Sequence, residues 1–193
     1  MELLPQKLQL KFEKLSKKLT NLRGQILILL LGIVLLLYGG LNYYRVRILS
    51  FSEIPLGVGQ TSGEVPVQIT IPSINIDMPI DVGAIKNGVW DISYSNPTFL
   101  VSSARPGAGG NIVIYGHNKK AIFGNLPYLS LGQKVFVKDS KGDVRAYEVY
   151  QKDFVAPDRV DLVSPTNQEV LTIYTCWGLF DSQRVVVKAK PLF

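Results

Sequence analysis

Residues 65–80 read VPVQITIPSINIDMPI. Apolar side chains fall at Val65, Val67, Ile69 and Ile71, then at Ile74, Ile76, Met78 and Ile80, with Pro72-Ser73 between the two sets. A period of two sends each set to one side of a pleated strand, so the run predicts two strands and a short connection. The rest of the chain follows suit. Segments Asn111–Tyr115, Lys134–Lys138, Val144–Val155, Val170–Thr175 and Arg184–Lys190 read as strands, and glycine-bearing turns (107–110 and 140–142) separate several of them. Only Ala121–Leu131 and Pro157–Thr166 have the composition of short helical turns. Many short strands without a sustained helical period indicate an all-β domain, as a closed barrel or a sandwich.

Upstream of this domain the sequence changes character. Ile26 to Leu41 carries no charge, and Asn42-Tyr43-Tyr44 extends the run to Arg45. As a helix, residues 26–44 would reach about 28 Å, close to the hydrocarbon thickness of a bilayer. Tyr38, Tyr43 and Tyr44 gather at one end, where aromatic rings favour the headgroup zone. Six Lys/Arg precede the run and two follow closely, which predicts a cytoplasmic N-terminus and an extracellular domain. A cleaved signal peptide is the rival reading. Its basic region would be unusually long, and no small-x-small site follows before Arg45. Leu8, Phe12, Leu15, Leu19 and Leu22 recur at helical spacing among lysines, as in a basic amphipathic helix on the inner membrane surface. The expected organisation is a cytoplasmic segment 1–25, a transmembrane anchor 26–44, a linker 45–64 and a domain 65–193.

The 193 residues carry a net charge of +6, which on its own suggests a nucleic-acid binder. Its distribution removes that class. Residues 1–47 hold eight Lys/Arg and two acids, whereas the remainder holds thirteen of each sign. The excess therefore belongs to the membrane flanks, and the domain offers no basic patch. One cysteine excludes an internal disulfide and any zinc site built on several thiolates, and the lone histidine leaves little for other metals.

Those two single residues are the candidate chemistry. Cys176 ends a strand on which Thr172, Tyr174 and Cys176 share a face, and Arg184 opens the next strand after residues 177–183. So short a connection makes a hairpin, with Cys176 and Arg184 as cross-strand neighbours. His117 follows the strand NIVIY and Gly116. A thiol beside a guanidinium, with an imidazole at another strand end, suits nucleophilic catalysis on a carbonyl. Taken singly, each has a plainer role: a small buried hydrophobe, a solvated loop histidine, a strand arginine. Spacing alone does not bring His117 to Cys176.

The stretch Thr172-Ile173-Tyr174-Thr175-Cys176 with Arg184 resembles the TLxTC…R signature of the sortase family, with Ile173 in place of leucine. IVIYGHN resembles that family's histidine strand, and Pro72–Ile76 with Pro79-Ile80 is similar to its opening strands. Pro106-Gly107 to Gly110-Asn111 and Phe123–Leu126 sit at similar positions around the histidine. The resemblance covers about residues 65–193. It implies an eight-stranded β-barrel with short helices, preceded by a membrane anchor. It further implies a cysteine transpeptidase that cuts an LPxTG-like C-terminal sorting signal through a thioacyl intermediate. Surface proteins bearing that signal and an amine of the cell envelope would be the partners. Carried over, Cys176 is the nucleophile, His117 the general acid and then base, and Arg184 the oxyanion and substrate donor. Thr175 and Trp177 are the further candidates for substrate contact. No cofactor or metal is implied, and the scattered acids predict no calcium site. The short Ala156–Glu169 stretch lacks the long helical insertion of the haem-uptake class, and no Asp-Pro-aromatic lid precedes the histidine. These point to a small housekeeping-type or class D/E-like enzyme. An L,D-transpeptidase would place its histidine beside the cysteine, and a papain-like protease would reverse the order of the two. A catalytically inactive anchored binding module is the alternative from outside the enzymes.

Overall fold

The computed structural model describes residues 6–47, 63–86 and 89–192. The chain divides into two units, the first ending at Arg45. One uninterrupted helix, α1, runs Gln6–Arg47 and makes up the described part of the first, passing its boundary by two residues. Within it Leu22–Asn42 is long and apolar enough to cross a membrane, and its large apolar side chains are exposed. The amphipathic pattern expected of Leu8–Leu19 lies on side chains outside those described, and most of the expected linker lies outside the described residues altogether.

The second unit is built on strands β1 (Pro66–Ile71), β2 (Ile76–Pro79), β3 (Asp81–Gly83), β4 (Ile85–Lys86), β5 (Val89–Trp90), β6 (Thr98–Leu100), β7 (Asn111–Gly116), β8 (Lys134–Asp139), β9 (Val144–Val155), β10 (Val170–Trp177) and β11 (Gln183–Pro191). Nine form one sheet in the order β2-β1-β8-β9-β11-β10-β7-β6-β3, and β4 pairs with β5 separately. The two ends of that order, β2 and β3, are one run of chain divided at Ile80. The Ile80 amide donates to the Val67 carbonyl (2.9 Å), and the Asp81 amide to the Pro97 carbonyl (2.9 Å). Consecutive amides thus bond to opposite margins of the sheet and roll it nearly shut. Taking β2 and β3 as one strand bent at Ile80, the barrel has eight staves, as the resemblance implied. Gly83 makes the closure possible. A Cβ there would lie 2.4 Å from the Asp91 carbonyl oxygen and 2.5 Å from the Tyr115 hydroxyl.

Alternation gives the barrel two apolar layers. Inside, Ile69, Ile71, Ile112, Ile114, Val137, Val149, Ile173, Val185 and Val187 meet in the main core. Outside, Val113, Tyr115, Tyr174 and Val186 pack with Trp90, Leu100 and Val163 under the β4–β5 hairpin and the 160–163 turn. The expected helical stretches supply only 3-10 turns, at Leu126–Tyr128 and Val160–Val163. The opening alternation departs at one residue. Val67 is exposed while Pro66, Ile69 and Ile71 are buried, because β1 slips register against β8 between Pro66 and Gln68. An extra residue in one strand turns its side chain out of phase with its neighbours.

Candidate active site

Two features of the sheet bring distant residues together. Strands β7 and β10 are parallel, with Tyr174 opposite Tyr115 and Thr175 opposite Gly116. Both therefore end on the same side of the barrel. His117, one residue past Gly116, and Cys176, one past Thr175, leave the pair at the same level. Strands β10 and β11 form the expected hairpin, and Cys176 lies directly across from Arg184. Strand β10 continues to Trp177, which pairs with Gln183, so the loop proper is 178–182. Arg184 also faces Val155 at the end of β9.

The register of β7 and β10 is fixed by side chains at both ends. Thr172 donates to the Asn111 side-chain oxygen (2.6 Å), and Asn111 donates onward to the Ser164 carbonyl (2.9 Å). At the far end the buried Thr175 hydroxyl donates to the Gly116 carbonyl (2.8 Å). Each pairing leaves no polar group idle in the interior, where an unmade hydrogen bond costs about 1–3 kcal/mol. Of the two residues expected to contact substrate, Thr175 thus points into the barrel, tied to the strand that carries His117.

Cys176 lies on the outer face and is partly exposed, while its neighbour Trp177 turns inward to the rim of the barrel core. The Trp177 ring meets Tyr128 (centroids 6.5 Å apart) and Phe154 (6.4 Å), both edge-on. His117 is also partly exposed. Its carbonyl accepts from the Lys119 amide (2.8 Å) and the Phe123 amide (3.3 Å), which folds the following loop back beneath it. The Tyr94 ring stands edge-on to the imidazole at 6.0 Å. Lys119 holds that tyrosine twice: its ammonium lies 3.1 Å from the ring centroid and donates to the Tyr94 carbonyl (2.9 Å).

Arg184 is 1 % exposed, a severe burial for a guanidinium, and it is anchored accordingly. Its Nη1 donates to the Asp181 carbonyl (2.6 Å) and the Gln183 carbonyl (2.9 Å). The Asp181 carbonyl is presented by a turn in which Phe180 (φ 54°) and Asp181 (φ 59°) are both left-handed. Side chains with a Cβ adopt that region at a cost of roughly 1–2 kcal/mol each.

Sequence reasoning missed Tyr94, Tyr128 and Phe154, which no motif marks and which sit in a loop, a 3-10 turn and near a strand end. Among the described residues no group of three or more His, Cys, Asp and Glu is placed to hold a metal ion.

The Sortase domain family model matches residues 69–192. A putative sortase, YwpE, of Bacillus subtilis is 32 % identical over 85 residues, spanning 42 % of this chain and 82 % of that one. Among solved structures, sortase C-1 of Actinomyces oris is similar with a TM-score of 0.57 and 25 % identity, over 66 % of this chain and 71 % of its own. A lid mutant of sortase A from Corynebacterium diphtheriae has a TM-score of 0.55 and 27 % identity, over 67 % and 70 %. With a nearly closed barrel of eight staves and a family match from its first strand to its last, the chain belongs to the sortase family, whose members are cysteine transpeptidases.

Proposed function

We propose that this chain is a membrane-anchored cysteine transpeptidase that cuts an LPxTG-like C-terminal sorting signal and joins the carrier protein to an amine of the cell envelope. The observation that supports it most is the register that brings the ends of β7 and β10 level and sets Arg184 across from Cys176. On this reading the Cys176 thiolate attacks the threonine carbonyl of the signal, and Arg184 donates to the oxygen as it gains charge. The imidazolium of His117 gives its proton to the departing glycine amine, which leaves a thioester on Cys176. An incoming amine then loses its proton to His117 and attacks the thioester, and the thiolate leaves. Trp177, with Tyr128 and Phe154, offers an apolar wall for the signal's side chains. Thr175 serves the substrate backbone through its tie to Gly116 rather than by presenting its hydroxyl.

The helix Leu22–Asn42 is the anchor in this reading, and the basic residues before it place the N-terminus in the cytoplasm and the barrel outside. Signal-bearing surface proteins are then delivered to the same face of the membrane. The test uses the full chain in detergent micelles with a library of quenched LPxTG-like peptides and amine acceptors. The expected result is cleavage between Thr and Gly, an acyl adduct on Cys176 by intact mass, and product joined to the amine. Cys176→Ala should abolish all three. Activity surviving in Cys176→Ala, or no adduct and no cleavage across the library, would overturn the reading.

A further inference from the structure

We propose that Tyr174 is a positioning residue for the reaction: its hydroxyl fixes the plane of the Arg184 guanidinium opposite Cys176. The proposal rests on the reading of Arg184 as the oxyanion donor. It begins with strand geometry. Tyr174 and Cys176 lie two apart on β10 and so share the outer face of the barrel. Arg184 pairs with Cys176 and Val186 with Tyr174, which makes Tyr174 and Arg184 diagonal neighbours across the β10–β11 hairpin. At that separation, about 7–8 Å, only long side chains meet. Both residues are long and almost fully buried on the same face, and Arg184 acts electrostatically on the Tyr174 hydroxyl. A guanidinium has donors only, so in the proposed contact the phenol oxygen accepts.

The hydroxyl is a fixed point because its ring cannot move freely. Tyr174 is 1 % exposed and its ring stacks on Trp90, with centroids 6.1 Å apart and planes 22° from parallel. Trp90 in turn stands edge-on against Tyr115, with centroids 4.5 Å apart. The Tyr115 hydroxyl donates to the Asp91 carbonyl, closing the outer layer around all three rings. Burial holds the Tyr174 phenol well above its ordinary pKa, so the group stays neutral and able to accept.

The backbone also holds the guanidinium. Its Nη1 is gripped by two carbonyls, and that of Asp181 belongs to the turn with two left-handed residues. A planar ion held at one edge by an exposed surface turn can still swing about that edge. A second contact from the rigid barrel layer removes the swing. Donors aimed at a developing oxyanion stabilise it most when they need no reorganisation.

Tyr174→Phe separates this role from packing, since it keeps the ring, its stacking on Trp90 and the buried area. With the full chain in detergent micelles, kcat for a cleaved LPxTG-like peptide should fall about 10- to 100-fold. KM should stay within about twofold and the tryptophan-fluorescence melting temperature within about 2 °C. In an Arg184→Ala background the same change should have almost no further effect, because the group it positions is gone. Hydrogen exchange of the Arg184 Nε–H, followed by NMR without any substrate, should quicken at least about tenfold in Tyr174→Phe. Wild-type kcat in Tyr174→Phe, a full loss that persists beside Arg184→Ala, or unchanged exchange would each overturn the proposal. Wild-type turnover in Arg184→Ala alone would instead sink the role assigned to Arg184. The exchange measurement decides on Tyr174 whether or not a peptide substrate is found.

Discussion

The two ends of the barrel are built on different terms. At the end where β7 and β10 finish, His117, Tyr94, Cys176, Trp177, Leu179 and Phe180 are wholly or partly exposed, and the 178–182 turn carries two left-handed residues. At the end where those strands begin, polar groups are closed off in pairs. The Glu169 carboxylate accepts from the buried Tyr147 hydroxyl (2.8 Å) and the Gly107 amide (2.9 Å). Arg105 donates to the Gly63 carbonyl (2.8 Å), and Lys141 bridges to Glu64 (2.8 Å), which also accepts from Ser140 (2.6 Å). The chain enters and leaves the domain at this tied end, since Pro66 pairs with Asp139 and Pro191 with Tyr147. On the proposed function, exposed aromatics and backbone strain lie at the end that does the chemistry, and these paired polar groups lie at the other. Stability and activity should be separable by position.

His117→Ala tests the open end with the largest effect. Peptide turnover should fall at least about 1,000-fold, in line with the loss of a general acid and base, while the melting temperature stays within about 2 °C. A large drop in melting temperature would show that the open end also carries the fold. Glu169→Ala tests the tied end. It strands the buried Tyr147 hydroxyl and should cost about 2 kcal/mol in denaturant unfolding, with kcat per folded molecule unchanged. Both tryptophans, Trp90 and Trp177, lie in the barrel, so fluorescence reports its unfolding alone. Turnover falling in step with stability would break the division between the ends. The smallest effect belongs to the exposed Glu64–Lys141 pair. Hydrogen bonds from Lys141 and Ser140 hold the Glu64 carboxyl below its ordinary pKa, so its contribution is complete above the ordinary carboxylate range and fades as pH falls through the lowered value. Lys141→Ala should lower the neutral-pH melting temperature by no more than about 1 °C and flatten that acid dependence, an effect salt should also erase.

Much of this was legible in the residues. Alternation locates the long strands, and the shortness of the 177–183 connection pairs Cys176 with Arg184. Hairpins are local, so their register follows from counting. The placement of His117 and Cys176 at one level was not countable. It depends on a parallel pairing of β7 with β10, and the chain between them visits β8 and β9 first. Only the resemblance joined them in advance. Strands β3 to β6 have two or three residues each and carry no period to read. The bulge at Val67 is invisible in a pattern of apolar residues, because the extra residue in β1 shows only in its pairing with β8. Alternation places Tyr174 on the face of Cys176, yet the contact proposed with Arg184 depends on how far two side chains reach diagonally.

The bend at Ile80 also bears on how the domain is made. The first strands of the domain to be synthesised are the ones that shut it. Strand β1 has β2 as a local partner, but its other margin waits for β8, and β3 waits for β6. An opening segment rich in isoleucine and valine therefore stays half-paired until the chain has been extended past Asp139. Long-range pairing of that kind slows folding and leaves apolar strand edges open for longer. The stretch from Val65 to Ile80 is the one most in need of protection before the barrel closes.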